Sequence, residues 1–217
     1  MKYEAIIFDL DGVICSTDRY HYLAWKALAD SLQIPFDESK SDRVRGVSRM
    51  ASLEVVLEGY CGPAFSETEK VALATQKNEL YRSYLQSMTA ADLSEEVRDT
   101  LNALRQRGLK LAIGSSSKNT PLILERIGLT GFFDAISDGN NISRSKPDPE
   151  VFLTAAGMLG LEPGRCLVVE DAVAGIQAAI AGGFDSAGLG PAAKCGMATY
   201  SLNRFAKLLP AAYALAV

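Results

Sequence analysis

Short apolar runs alternate along this chain with longer stretches in which apolar positions recur every three or four residues. The runs Tyr3–Phe8, Leu109–Gly114, Phe133–Ile136, Cys166–Val169 and Asp185–Gly188 read as strands. The stretches Glu95–Gln106, Thr120–Ile127, Glu150–Leu159 and Ala172–Ala181 read as helices, and Gly108, Gly128, Gly160 and Gly182-Gly183 fall where helix C-caps belong. Continuously apolar strands joined by helical crossovers predict an α/β fold with a parallel sheet. From about Cys15 to about Ala90 the alternation stops. That stretch reads as successive helices, Tyr20–Ser31, Ser48–Leu57 and Glu67–Gln86, inserted directly after the first strand. Ligands of open parallel sheets bind beyond the carboxyl ends of the strands, so an insert leaving from that edge is expected to act as a lid; the alternative is a plain structural subdomain. The expected division is a core of residues 1–15 and 91–217 and a helical cap of residues 16–90, with Ser201–Val217 a helical tail.

Composition narrows the classes. The 217 residues are 48% hydrophobic and 22% charged, as in ordinary globular proteins. A net charge of −4 offers no basic footprint for nucleic acid. No apolar run approaches the roughly 18 residues of a membrane helix, and the start of the chain does not read as a signal peptide. The four cysteines, Cys15, Cys61, Cys166 and Cys195, are scattered, which fits reduced thiols and a cytoplasmic location. With a single histidine, His21, zinc has too few of its usual ligands; a hard cation on oxygen ligands, Mg2+ best of all, is the expected metal.

Four constellations carry candidate chemistry. The run Ala5-Ile6-Ile7-Phe8 ends in Asp9-Leu10-Asp11-Gly12, so a buried strand delivers two carboxylates two residues apart. Such a pair makes sense if a divalent cation sits between the acids, if one is kept protonated, or if one is a nucleophile. Ser115-Ser116-Ser117-Lys118-Asn119 supplies hydroxyls, N–H groups and a lysine suited to phosphate. In Lys146-Pro147-Asp148-Pro149 the proline biases Lys146 towards an extended backbone. Glu170-Asp171 closes another buried strand and reads as the second half of a metal site.

The order of these motifs at one predicted sheet edge resembles the haloacid dehalogenase superfamily. The resemblance implies a Rossmann-like parallel sheet core with an inserted α-helical cap. It also implies roles: Asp9 as nucleophile forming an aspartyl phosphate, Asp11 as general acid/base, Ser115 and Lys146 holding the transferring phosphoryl group. Glu170 and Asp171 are then expected to hold Mg2+ with Asp9 and the backbone carbonyl of Asp11.

The insert is similar to that of the β-phosphoglucomutase branch, through Thr17, Tyr20-His21-Tyr22-Leu23-Ala24-Trp25, Arg45-Gly46-Val47-Ser48-Arg49, Ser52 and Lys77-Asn78. By that resemblance His21 couples cap closure to the general acid/base, and Thr17 sits in the hinge. Arg49, Ser117 and Asn119 grip the phosphate that is not transferred, with Ser116 and Lys118 in the same loop. Arg45, Gly46 and Val47 contact the sugar, with Ser52 and Lys77 nearby; Trp25 is a candidate contact whose default is helix core. Arg45 stands where the pattern has lysine, which opens the sugar preference to a related hexose or disaccharide phosphate. The expected activity is interconversion of β-glucose 1-phosphate and glucose 6-phosphate by a monomer, the alternative being a sugar-phosphate phosphatase on the same scaffold.

Overall fold

A computed structural model describes residues 2–44 and 48–212. Contacts divide the chain into two compact units, Met1–Ser16 with Thr89–Val217, and Thr17–Met88.

The first unit is built on six strands: β1 (Ala5–Phe8), β2 (Lys110–Gly114), β3 (Ala135–Ser137), β4 (Cys166–Glu170), β5 (Asp185–Gly188) and β6 (Tyr200–Ser201). They form one sheet in the order β3-β2-β1-β4-β5-β6, every neighbouring pair parallel. This is the parallel sheet expected from the alternation, of the Rossmann type that the resemblance implies. The order runs outward from β1 in one direction and from β4 in the other, so the topological switch lies between these two strands. Phe8 is level with Ile113 on one side and Val169 on the other. One register step further, Asp9 comes level with Gly114 and Glu170.

Side-chain alternation along β1 divides the core. Ala5 and Ile7 face α7 (Glu150–Leu159) and α8 (Val173–Ala181), in a cluster with Phe152, Ala155, Val168, Ala178 and Ala179. Phe8 stacks instead on Phe205 and meets Phe133 edge-on. The remaining helices of this unit are α5 (Glu95–Gln106), α6 (Thr120–Arg126), α9 (Gly190–Lys194) and α10 (Leu208–Ala212). Gly108, Gly128 and Gly160 do adopt left-handed backbones beyond helix ends. Of the pair Gly182-Gly183, only Gly183 does so. The sequence reading lacked β6 and α9, and the predicted tail is a 3-10 turn, Phe205–Lys207, followed by α10. Residues 213–217 lie outside the described part.

The second unit contains α1 (Asp18–Ser31), α2 (Glu38–Val44), α3 (Arg49–Leu57) and α4 (Glu67–Leu85), and no strand among the described residues. Trp25, Leu28, Phe36, Val44, Leu53, Val56 and Ala74 form its core. Ser66 and Glu69 close a reciprocal capping box at the start of α4. The sequence reading missed α2, whose start is fixed by Asp37 accepting from the backbone N–H of Lys40. No helix among the described residues is long and apolar enough to cross a membrane.

Candidate active site

Three carboxylates meet beyond the carboxyl ends of the two strands that flank the switch. Asp9 follows β1, its N–H donating to the Val169 carbonyl at 2.9 Å; Glu170 ends β4 and Asp171 follows it. One oxygen from each of Asp9, Glu170 and Asp171 lies within 4.8 Å of the others. The Lys146 ammonium, from the loop before α7, sits 2.5 Å from Asp9 Oδ1 and 2.5 Å from Glu170 Oε1. The face of Phe152 lies beneath it, 4.7 Å from nitrogen to ring centre. Glu170 Oε2 accepts from the N–H groups of Asp171 and Ala172, both at 3.0 Å.

Three carboxylates gather about one ammonium, and two of them, Asp9 and Glu170, are buried. Burial, then repulsion from Glu170 and Asp11, pushes the Asp9 carboxyl well above the usual carboxylate range, against the pull of Lys146. Burial also opposes the charge on Lys146, but Asp9 and Glu170 outweigh it and hold the ammonium protonated. Hard oxygen donors that repel one another when ionised suit a divalent cation such as Mg2+.

Two glycines make room for the acids. A Cβ at Gly12, where φ is +84°, would stand 2.1 Å from Asp171 Oδ2. A Cβ at Gly175, inside α8, would stand 2.0 Å from the Glu170 carboxyl. The donor set and this cradle fit a bound cation. Gly175 and Phe152 were missed in the sequence. A glycine inside a helical pattern is itself a signal of close approach, and that signal was available.

The Asp11 side chain is not part of the three-acid cluster; its proposed contribution to the metal is the main-chain carbonyl. Asp11 lies in a tight turn, where the N–H groups of Ile14 and Cys15 both donate to the Leu10 carbonyl and that of Gly12 to Cys15. Beyond β2, Ser115 is buried, and its Oγ accepts from the Ser117 N–H at 3.2 Å. Ser117 Oγ accepts in turn from the Asn119 N–H, winding this loop into the start of α6. The Ser116 hydroxyl is buried with no partner among the described residues, Lys118 is exposed and Asn119 is buried.

The helical unit gathers a second set of expected residues. Lys77 Nζ lies 2.9 Å from His21 Nδ1 and over the rings of Trp25 and Tyr81. An ammonium only donates, so Nδ1 accepts and the imidazole proton belongs on Nε2. Burial first, then Lys77 and Arg49, holds the imidazole well below its usual pKa and hence neutral. Tyr81 stacks on His21 and donates its hydroxyl to Thr17 Oγ1 at 3.0 Å. Arg49, the first residue of α3, is half-buried, and its guanidinium donates to Asn78 Oδ1 at 2.8 Å.

Trp25, 2% exposed, belongs to the core of this unit, the default expected for it, with Leu28, Leu53 and their neighbours around it. Ser52 is buried, and its hydroxyl donates to the Val44 carbonyl, tying α3 to α2. Arg45, Gly46 and Val47 lie outside the described residues.

A nucleophile-type acid after the first strand of a Rossmann-type sheet, with a lysine and two further acids at the same edge, places the chain in a class: it belongs to the haloacid dehalogenase-like hydrolases, whose family model matches residues 3–183. Among individual relatives, β-phosphoglucomutase of Bacillus subtilis is 40% identical over 188 residues, covering 86% of this chain and 83% of that protein. The crystal structure of β-phosphoglucomutase from Clostridium difficile superposes with a TM-score of 0.88 at 37% identity, over 95% of this chain and 93% of that one. A fructose-1-phosphate phosphatase of Escherichia coli is 30% identical over 186 residues, 85% of this chain and 95% of that protein.

Proposed function

We propose that the protein is a magnesium-dependent β-phosphoglucomutase that carries the phosphoryl group on Asp9. The observation that carries the reading is the meeting of Asp9 with Lys146, Glu170 and Asp171 at the switch point, in a chain 40% identical to a protein named for that activity. A carboxylate attacking a phosphate meets like-charge repulsion, about 4 kcal/mol for unit charges 4 Å apart at an effective dielectric of 20. Asp9, Glu170, Asp171 and the Asp11 carbonyl would hold Mg2+, which would supply charge neutralisation for the phosphoryl group.

The rest is done by the chain. The 6-hydroxyl oxygen of β-glucose 1-phosphate attacks the phosphorus on Asp9, Asp11 takes the hydroxyl proton, and the bond from phosphorus to the Asp9 oxygen breaks. β-Glucose 1,6-bisphosphate results. In the return step, the Asp9 carboxylate attacks the phosphorus at position 1. The bond to the C1 oxygen breaks, Asp11 returns the proton to that oxygen, and glucose 6-phosphate leaves. Ser115 and Lys146 hold the phosphoryl group in transit. Arg49, Ser117 and Asn119 hold the other phosphate, which a simple phosphatase does not need. The helical unit serves as the cap, with Thr17 at the hinge, and excludes water that would hydrolyse the aspartyl phosphate.

The test is an assay with β-glucose 1-phosphate, Mg2+ and a trace of the bisphosphate. Glucose 6-phosphate should form without stoichiometric free phosphate. Free phosphate as the main product overturns the mutase reading and leaves a sugar-phosphate phosphatase, the activity that the name of the Escherichia coli relative describes.

A further inference from the structure

The Lys77-Asn78 pair on α4 has one member unaccounted for. Lys77 contacts His21; its neighbour Asn78 reaches a different partner, accepting a hydrogen bond from Arg49 Nη2 at 2.8 Å. A guanidinium only donates, so the atom facing it is the amide oxygen. Arg49 is half-buried, and burial alone shifts its pKa, downwards; no carboxylate among the described residues offsets that cost.

An arginine fork gains specificity from a fixed plane, but a long side chain at a helix start must be held to keep one. A carboxylate would hold it and neutralise it. A neutral amide holds it and leaves its charge for a ligand. We infer that Asn78 is the positioning residue of Arg49, orienting its guanidinium for the phosphate that is not transferred while leaving that charge uncompensated. The inference rests on the reading of Arg49 given above.

Asn78→Ala and the near-isosteric Asn78→Asp separate this role from packing. In the alanine variant KM for β-glucose 1-phosphate should rise about tenfold, the size of one hydrogen bond to a charged group, with kcat changed less than about twofold. In Asn78→Asp the acceptor oxygen and the fold persist, so the melting temperature should stay at or above wild type. KM should nonetheless rise by about tenfold or more, because the carboxylate neutralises the fork. Added to Arg49→Ala, Asn78→Ala should change KM by less than about twofold, since the two act as one unit. Wild-type KM in Asn78→Asp, or independent effects in the double variant, overturns the inference while leaving the proposed activity intact. Should the alanine variant fail to fold, the aspartate variant decides by the same criterion. Absence of sugar-phosphate turnover or binding by the wild-type protein overturns the reading of Arg49, and the inference with it.

Discussion

Two helical glycines offer a matched test of the acid cradle. Gly157 lies in α7 with nothing within 4 Å of where a Cβ would stand, whereas at Gly175 in α8 that Cβ would stand 2.0 Å from the Glu170 carboxyl. Alanine in a helix interior is favoured over glycine by about 1 kcal/mol, so propensity alone predicts stabilisation at both positions. Gly157→Ala should show it, melting about 1–4 °C above wild type for a chain of this size. At Gly175 the carboxyl must retreat by roughly 1.4 Å to restore the 3.4 Å of ordinary contact. Such a shift breaks the 2.5 Å contact with Lys146 or the 3.0 Å bonds from the Asp171 and Ala172 N–H groups. Hydrogen bonds to charged groups are worth about 1.5–3 kcal/mol each, so the loss outweighs the propensity gain, and Gly175→Ala should be destabilised by about 1–3 kcal/mol. Misplacing a ligand should also weaken Mg2+ binding at least tenfold or so, on the scale of lost support around metal sites. Thermal melts and Mg2+ titration calorimetry on both variants decide. A Gly175→Ala protein that melts with Gly157→Ala and binds Mg2+ like wild type would refute the cradle.

Lys146→Met removes the buried ammonium and leaves Asp9 and Glu170 without their counter-ion, so urea denaturation in EDTA should show a loss of about 3–5 kcal/mol, with part regained in millimolar Mg2+; an equal loss with and without Mg2+ would argue against a cation at this cluster. His21 has its folded pKa held well below 6.5, so below that pH the unfolded chain takes up a proton that the folded one refuses. Stability is therefore fully present above pH 6.5 and falls as pH drops below it, by at most about 1.4 kcal/mol per unit from this group. Denaturation midpoints between pH 7 and 5 should fall less steeply in His21→Gln; parallel curves would refute the buried neutral imidazole.

The parts of the fold that were legible are those in which local pattern and tertiary demand coincide. Ala5–Phe8 and Cys166–Glu170 lie at the centre of a parallel sheet covered on both faces, so their sequences are continuously apolar, and the acids that end them stand out. Tyr200–Ser201 is a two-residue edge strand, and Glu38–Val44 a seven-residue helix with one buried position; neither is long enough to establish a period. The acids at the ends of these two strands were legible for a further reason. Parallel pairing without bulges carries Asp9 from its place beside Phe8 to the level of Glu170, so a linear motif became a spatial one with no loop in between.

Side-chain partnership was less legible than placement. Nothing in the order of residues distinguishes the Ser52 hydroxyl, which donates to Val44, from a hydroxyl left open for a sugar, and Trp25 carries the same letter whether it lines a pocket or a core. The same limit applies to charge. Lys77 and Arg49 are equally cationic in sequence, yet Lys77 contacts an imidazole and two aromatic rings, and Arg49 is held by an amide. Both of these contacts leave the positive charge in place, whereas Lys146 in the sheet unit has two carboxylates at 2.5 Å. The sheet unit thus sets three carboxylates about one ammonium, whereas at Arg49 the cost of burial is offset by no carboxylate among the described residues. Charge of the same sign in the sequence therefore serves different ends, and only the partners tell them apart: a lysine between two carboxylates is their counter-ion, whereas a guanidinium held by an amide keeps its charge.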